Sequence, residues 1–263
     1  MHEFENNWLF EREKIDNLSK SKFIIKKINN FLSTYNEVNI MDLGTGTGSN
    51  FRYLTKKIKL KKQSWTLIDI SKESLIEAKT DIYKNYTLDK ISIINQNVIN
   101  NIDKINFKNF DLVCGSAFLD IMPFHWFKSF YKQNINTKLI YFSINYDGYF
   151  KFYPFHKDDK AVLNLFNADQ QSIKHKNDLA VGPDCSKIIE KQFKKTHKIY
   201  SYKSTWSVKN NKKFQSMFLN FCSNVLNKNK KDFTSWLTFR NENIMNNKSK
   251  LIVNNKDFLA IKF

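Results

Sequence analysis

The stretch Asp42-Leu43-Gly44-Thr45-Gly46-Thr47-Gly48-Ser49-Asn50 holds three of the six glycines of this 263-residue chain. Glycine lets a backbone turn sharply and approach a ligand where any Cβ would collide. What flanks the loop decides its reading. Residues 38–43 are an apolar run that suits a buried strand, and 49–59 carry a helical pattern, so the glycines mark a strand-to-helix turn. The rhythm continues outward, with strands expected at 65–68, 91–94, 110–114 and 138–144 and helices at 72–84 and 124–132. Such alternation implies an α/β fold, a parallel sheet with right-handed crossovers and helices on both faces. Ahead of it, residues 9–32 space Ile15, Leu18, Ile24, Ile25, Ile28, Phe31 and Leu32 as the dry face of one amphipathic helix, part of an N-terminal helical cap over 1–36.

Beyond residue 144 the pattern changes. Tyr146-Asp147-Gly148-Tyr149 reads as a tight turn between aromatic stretches, predicting a hairpin and then a helix over 162–172. Residues 146–182 are therefore read as an insertion after the fifth strand, within a single domain spanning 1–263. Val181-Gly182-Pro183-Asp184 marks a turn with Asp184 placed to cap a helix over 186–195. A strand at 198–208, helices near 211–227 and 230–246 joined by a polar junction at 227–231, and a final strand or hairpin at 250–263 complete the expectation.

Two ligands compete for a glycine loop of this kind, a dinucleotide and S-adenosylmethionine (SAM). Pyrophosphate wants helix N–H groups and no carboxylate nearby. Asp42 precedes the first glycine by two residues, and Ser49 stands where a dinucleotide loop ends in glycine or alanine. A carboxylate there suits the ammonium of SAM's methionine moiety, so SAM is favoured, bound by Asp42, Gly44, Thr45, Gly46 and Gly48. Asp69, at the end of the second strand, is placed to receive ribose hydroxyls with Ile70 beside it, while Ser71 serves the following helix as cap. Gln96 and Asn97 follow the third strand, where an amide meets an adenine edge, although Asn97 equally suits a loop residue bonding its own backbone. Gly115 and Ser116 follow the fourth strand, where ligands collect in open α/β sheets.

Donor and acceptor should meet just past that strand. Asp120 and His125 are the candidate catalytic residues, as base or acceptor anchor. Their plainer roles are a helix cap and a packing residue. Phe118, Tyr146, Asp147, Asn167 and Gln171 are the candidate acceptor-side residues, the plainer alternative being aromatics that cover a sheet edge.

At this point the chain resembles the class I, Rossmann-type SAM-dependent methyltransferases. The likeness rests on Asp42-x-Gly44-x-Gly46-x-Gly48, Asp69, Gln96-Asn97 and Asp111-Leu112-Val113-Cys114. More narrowly it is similar to a poorly characterised bacterial subgroup, through Gly48-Ser49-Asn50-Phe51-Arg52-Tyr53-Leu54, Ser116-Ala117-Phe118-Leu119-Asp120, Tyr146-Asp147-Gly148, Phe166-Asn167-Ala168-Asp169-Gln170-Gln171, Val181-Gly182-Pro183-Asp184 and Asn255-Lys256-Asp257-Phe258-Leu259-Ala260. The resemblance implies methyl transfer from SAM to a small-molecule acceptor. Where most relatives of the wider fold have an acidic adenine contact, this chain has Asn97.

Composition narrows the partners. The formal net charge is +18, which points toward nucleic acid, yet only Arg12, Arg52 and Arg240 among the 43 basic residues are arginine. Arginine is the side chain suited to bidentate phosphate and base contacts, so a solvated lysine-rich surface is the better reading. RNA methylation stands second. Against it, the fourth-strand exit reads Gly-Ser-Ala-Phe rather than the Asn/Asp-Pro-Pro-aromatic of amino-group base methyltransferases, and Cys185 lies far from where a cytosine-attacking thiol belongs. A SAM-binding protein without catalysis stands third. No apolar run approaches the roughly 20 residues of a bilayer span, and Cys114, Cys185 and Cys222 form no metal-ligand pattern. The expectation is a soluble cytoplasmic protein with no metal.

Overall fold

The computed structural model describes residues 2–87, 90–175, 178–228 and 231–263, with side chains from residue 7 onward. The junction expected at 227–231 lies partly outside them. In chain order the elements are α1 (His2–Ser19), α2 (Lys22–Leu32), β1 (Val38–Leu43), α3 (Ser49–Lys57), β2 (Gln63–Asp69), α4 (Lys72–Asn85), β3 (Lys90–Asn95), β4 (Leu112–Ser116), α5 (Phe124–Asn134) and β5 (Leu139–Tyr153). There follow α6 (Asp159–Gln170), the two-residue strands β6 (Lys174–His175) and β7 (Asp178–Leu179), α7 (Cys185–Phe193), β8 (His197–Lys203), β9 (Trp206–Lys209), α8 (Lys212–Leu226), α9 (Thr234–Met245) and β10 (Lys250–Lys262).

The main sheet runs β3-β2-β1-β4-β5-β10-β8, with β9 also on β10. Strands β3, β2, β1, β4 and the first third of β5 are parallel, and β10 is antiparallel to β5, β8 and β9. One face is covered by α2, α3 and α4, whose Ile28, Phe51, Leu54 and Ile82 pack on Ile40, Leu67 and Tyr141. The other is covered by α5 and α7, where Trp126, Phe127, Phe130 and Phe193 meet Val113, Phe142 and Phe258. The strands read as near-continuous apolar runs because both faces are dry. Among the described residues no helix is long and apolar enough to cross a membrane.

Three expectations are corrected. The N-terminal helix is two helices, broken at Lys20-Ser21: the Ser21 hydroxyl accepts from Ile24 N–H and starts α2, while the Ser21 N–H donates to the buried carboxylate of Asp257 at 2.7 Å. Strand 198–208 is β8 and β9, interrupted at Ser204-Thr205. Tyr146-Asp147-Gly148-Tyr149 makes no hairpin; β5 runs straight through it, because β10 offers partners along almost its whole length, from Lys250↔Tyr153 to Ile261↔Leu139. Gly148, at φ +90, sits where that register slips between Tyr146 and Phe150. The prolonged β5 and β10 thus carry a third core beyond the parallel sheet, in which Phe150, Phe152, Phe166, Phe218 and Trp236 join α6, α8 and α9.

Candidate active site

The glycine loop leaves the carboxyl end of β1, the central strand. Gly44, Gly46 and Gly48 all lie in the left-handed region, with φ of +64, +52 and +88, so the alternating glycines answer an alternating backbone. At Gly44 space matters too: an added Cβ would stand 2.5 Å from the ring of Phe118. At Gly46 nothing lies within 4 Å, leaving that side of the loop open. Two ties hold the loop. The Asp69 carboxylate accepts from Gly46 N–H at 2.7 Å and Ser71 N–H at 2.8 Å, and Arg52 donates to the Thr47 carbonyl while pairing with Asp81 of α4 and Glu13 of α1.

Above the loop is a cavity of about 240 Å³ walled by Gly44, Thr45, Gly46, Thr47, Ser49, Asp69 and Ser116 and roofed by Leu9, Arg12 and Asp16 of α1. A second cavity of about 180 Å³ adjoins it, walled by Trp8, Asp120, Ile144, Tyr146, Phe166, Trp206, Phe218 and Phe221. Arg12 and Ala117 line both. A polar cavity over a glycine loop and an aromatic one share a wall.

Residues 40–134 match the family model of a methyltransferase domain. No curated protein matches the chain. Among solved structures it is similar to a cyclopropane-fatty-acyl-phospholipid synthase-like protein from Lactobacillus casei, with 12% identity, 95% of this chain and 92% of that one covered and a TM-score of 0.57. It is also similar to the YcgJ protein of Bacillus subtilis, with 9% identity, coverage of 90% and 97% and a TM-score of 0.54. At such identities the likeness is one of fold, and it agrees with the strand order and loop just described. Residues 40–134 are thus a methyltransferase domain, on a class I Rossmann-like fold.

Within this fold, the residues singled out from sequence separate into those that reach a cavity and those that do not. Gly44, Thr45, Gly46, Asp69 and Ser116 line the polar cavity. Asp42 is set back from it and fully buried: its oxygens accept from Thr45 Oγ1 at 2.8 Å and Asn50 Nδ2 at 2.7 Å, with the Cys114 thiol at 3.5 Å, and burial pushes the carboxyl up. Gly48 caps α3. Gly115 faces the Leu43 carbonyl and the Phe142 ring, so its missing side chain serves strand packing. Ile70 is exposed beyond Asp69. Gln96 lines a separate groove over β1–β3, and the Asn97 side-chain Oδ1 accepts from Ile99 and Asn100 N–H, a turn of its own.

On the acceptor side, Asp120 and Tyr146 line the aromatic cavity. Phe118 lies under the loop in the core, stacked on Phe142 and edge-on to Trp126. His125 is on the surface, its Nδ1 3.0 Å from Asp178. Asn167 bridges α6 to β5, accepting from the Tyr146 hydroxyl at 2.8 Å and donating to the Gly148 carbonyl at 2.8 Å. Gln171 packs on Gly182, and Asp147 lies 3.9 Å from Lys256, its carboxyl held up by burial. Cys185 is buried and its thiol is pushed up, no nucleophile.

Sequence reasoning placed a helical cap over 1–36 but named none of its residues for the site. Arg12 and Asp16 are one turn apart and paired at 3.0 Å over the polar cavity, and Trp8 is a turn earlier over the aromatic one. The signal was present as Trp8-x-x-x-Arg12-x-x-x-Asp16, an i, i+4 row on one face. The aromatics of α8 could not be told from core residues, since lining a cavity and filling a core ask for the same side chains.

Proposed function

We propose that this enzyme methylates a small molecule held in the aromatic cavity while SAM occupies the polar one. The observation that carries the reading is the shared wall at Arg12 and Ala117, across which a donor and an acceptor would lie side by side. Two features support SAM in the polar cavity. The Asp16 carboxylate is buried with Oδ1 lacking a hydrogen-bond partner among the described residues, a cost that an ammonium would remove, and the open side of Gly46 leaves room over the loop. In this reading Asp16 takes the methionine ammonium, Arg12 the carboxylate and Asp69 the ribose hydroxyls. Asp42 positions Thr45 and Asn50 instead of touching ligand.

SAM supplies an electrophilic methyl group, and the protein's work is to align a nucleophile with it and keep water out. Trp8, Leu9 and Arg12 close the roof, Ala117 at φ +50 turns the chain between the cavities without a long side chain, and Asp120 faces the acceptor. Burial pushes the Asp120 carboxyl up to about 6, with the nearby Arg12 guanidinium opposing, so it ionises close to neutrality as a proton acceptor should. The whole chain acts as one unit in this reading, since β10 runs through both the sheet and the extension. Buried free thiols at all three cysteines suit a reducing, cytoplasmic setting.

RNA as acceptor rests on net charge alone, and the arginines argue against it: Arg12, Arg52 and Arg240 are all committed to carboxylates of the same chain. Labelled SAM with cell extract split into small-metabolite and RNA fractions tests the choice. Label entering the metabolite fraction supports the proposal; label entering RNA alone overturns it.

A further inference from the structure

Six aromatic side chains, Trp8, Tyr146, Phe166, Trp206, Phe218 and Phe221, surround the acceptor cavity, and one carboxylate, Asp120, reaches it. The Asp120 Oδ1 is buried and has no hydrogen-bond partner among the described residues. The other charged side chain on the wall, Arg12, is already satisfied by Asp16 and rests with its guanidinium 5.8 Å from the Trp206 ring centroid. The remaining polar lining, Gln170 and Asn255, is neutral. The cavity is an aromatic box whose one carboxylate makes no ion pair among the described residues, and ring faces and a desolvated carboxylate both attract cations.

We propose that the methyl acceptor is a small organic amine, its ammonium seated against Asp120 and its apolar body enclosed by the aromatic walls. This rests on the reading of the adjoining cavity as the SAM site. An anionic ligand would face Asp120 directly. A neutral one would leave the carboxylate buried without a counter-charge. In the transfer, the bound ammonium gives a proton to Asp120 or to water and the freed nitrogen lone pair bonds the methyl carbon. The carbon–sulfur electrons leave with sulfur, and the nitrogen, now methylated, carries the positive charge opposite Asp120.

The test uses three probes of nearly equal shape, 2-phenylethylamine, 2-phenylethanol and phenylacetate, titrated by calorimetry into protein first saturated with S-adenosylhomocysteine. The amine is expected to bind at least about tenfold more tightly than the other two, as expected when a charge-assisted contact is available to one probe only. In Asp120→Asn that preference should fall to about twofold or less. The S-adenosylhomocysteine titration, unchanged in the variant, shows that it is folded. Equal or tighter binding of the alcohol or the acid, an amine preference that survives in Asp120→Asn, or no binding of any probe would overturn the proposal. Silence of S-adenosylhomocysteine in the first step would instead overturn the reading of the polar cavity.

Discussion

Asp16 and Asp42 are both buried carboxylates near the glycine loop, and their hydrogen bonds assign them different work. Asp42 has its oxygens filled by Thr45, Asn50 and Cys114, whereas Asp16 has one oxygen on Arg12 and one on nothing. Asp16→Asn is therefore expected to weaken S-adenosylhomocysteine binding about tenfold with little change in melting temperature. Asp42→Ala should cost about 2–4 kcal/mol of stability by orphaning two buried donors. Calorimetry and urea denaturation separate the two. Asp120 carries a different signature. Its carboxyl is raised in the folded state from an ordinary 3.8 to about 6, so the native protein holds that proton more tightly than the unfolded chain. The associated stability is present below pH 4 and lost as pH rises toward 6. Asp120→Asn, which cannot ionise, should be more stable than the parent by about 3 kcal/mol well above pH 6 and nearly equal to it near pH 4, by urea denaturation at both. Equal stability at both would mean that Asp120 is well solvated. None of these distinctions was legible in the sequence, where a carboxylate near a glycine loop shows its spacing but not which of its oxygens are already occupied.

Among the elements, the β1–α3 loop was the most readable, because positive φ at three alternating positions leaves few residue choices. It also gives contrasting substitutions. Gly44→Ala combines φ +64 with a Cβ 2.5 Å from a Phe118 ring wedged by Trp126 and Phe142, so a loss of about 3 kcal/mol or more is expected. Gly46→Ala meets no atom, so it should cost only about 1 kcal/mol of stability while reducing S-adenosylhomocysteine affinity about tenfold or more. Denaturation and titration of both variants check the pair; matching stability losses would place Gly46 against protein instead of ligand. β5 was misread at Asp147-Gly148 for a reason of range. Local turn chemistry pointed to a hairpin, but β10, about a hundred residues later, supplies a continuous antiparallel partner and the turn signal is absorbed as a register slip. The break between α1 and α2 was hidden likewise, since the group that rewards it, Asp257, comes from the far end of the chain.

For the molecule as a whole, the parallel half and its ligand were legible because strand–helix alternation and a glycine loop are local patterns. The acceptor half was not, because it is assembled from α1, β5, α6, α8 and β10, which no window of sequence shows together. Of those elements α1 alone also lines the polar cavity, and Arg52 ties the glycine loop to α1 through Glu13. The account therefore turns on what fills the polar cavity. The most direct measurement is calorimetric titration of the protein with SAM, S-adenosylhomocysteine and NAD in parallel. The account predicts binding of the two adenosyl-sulfur compounds at about micromolar affinity, a raised melting temperature with each and no response to NAD. Binding of NAD with both adenosyl-sulfur compounds silent would contradict it.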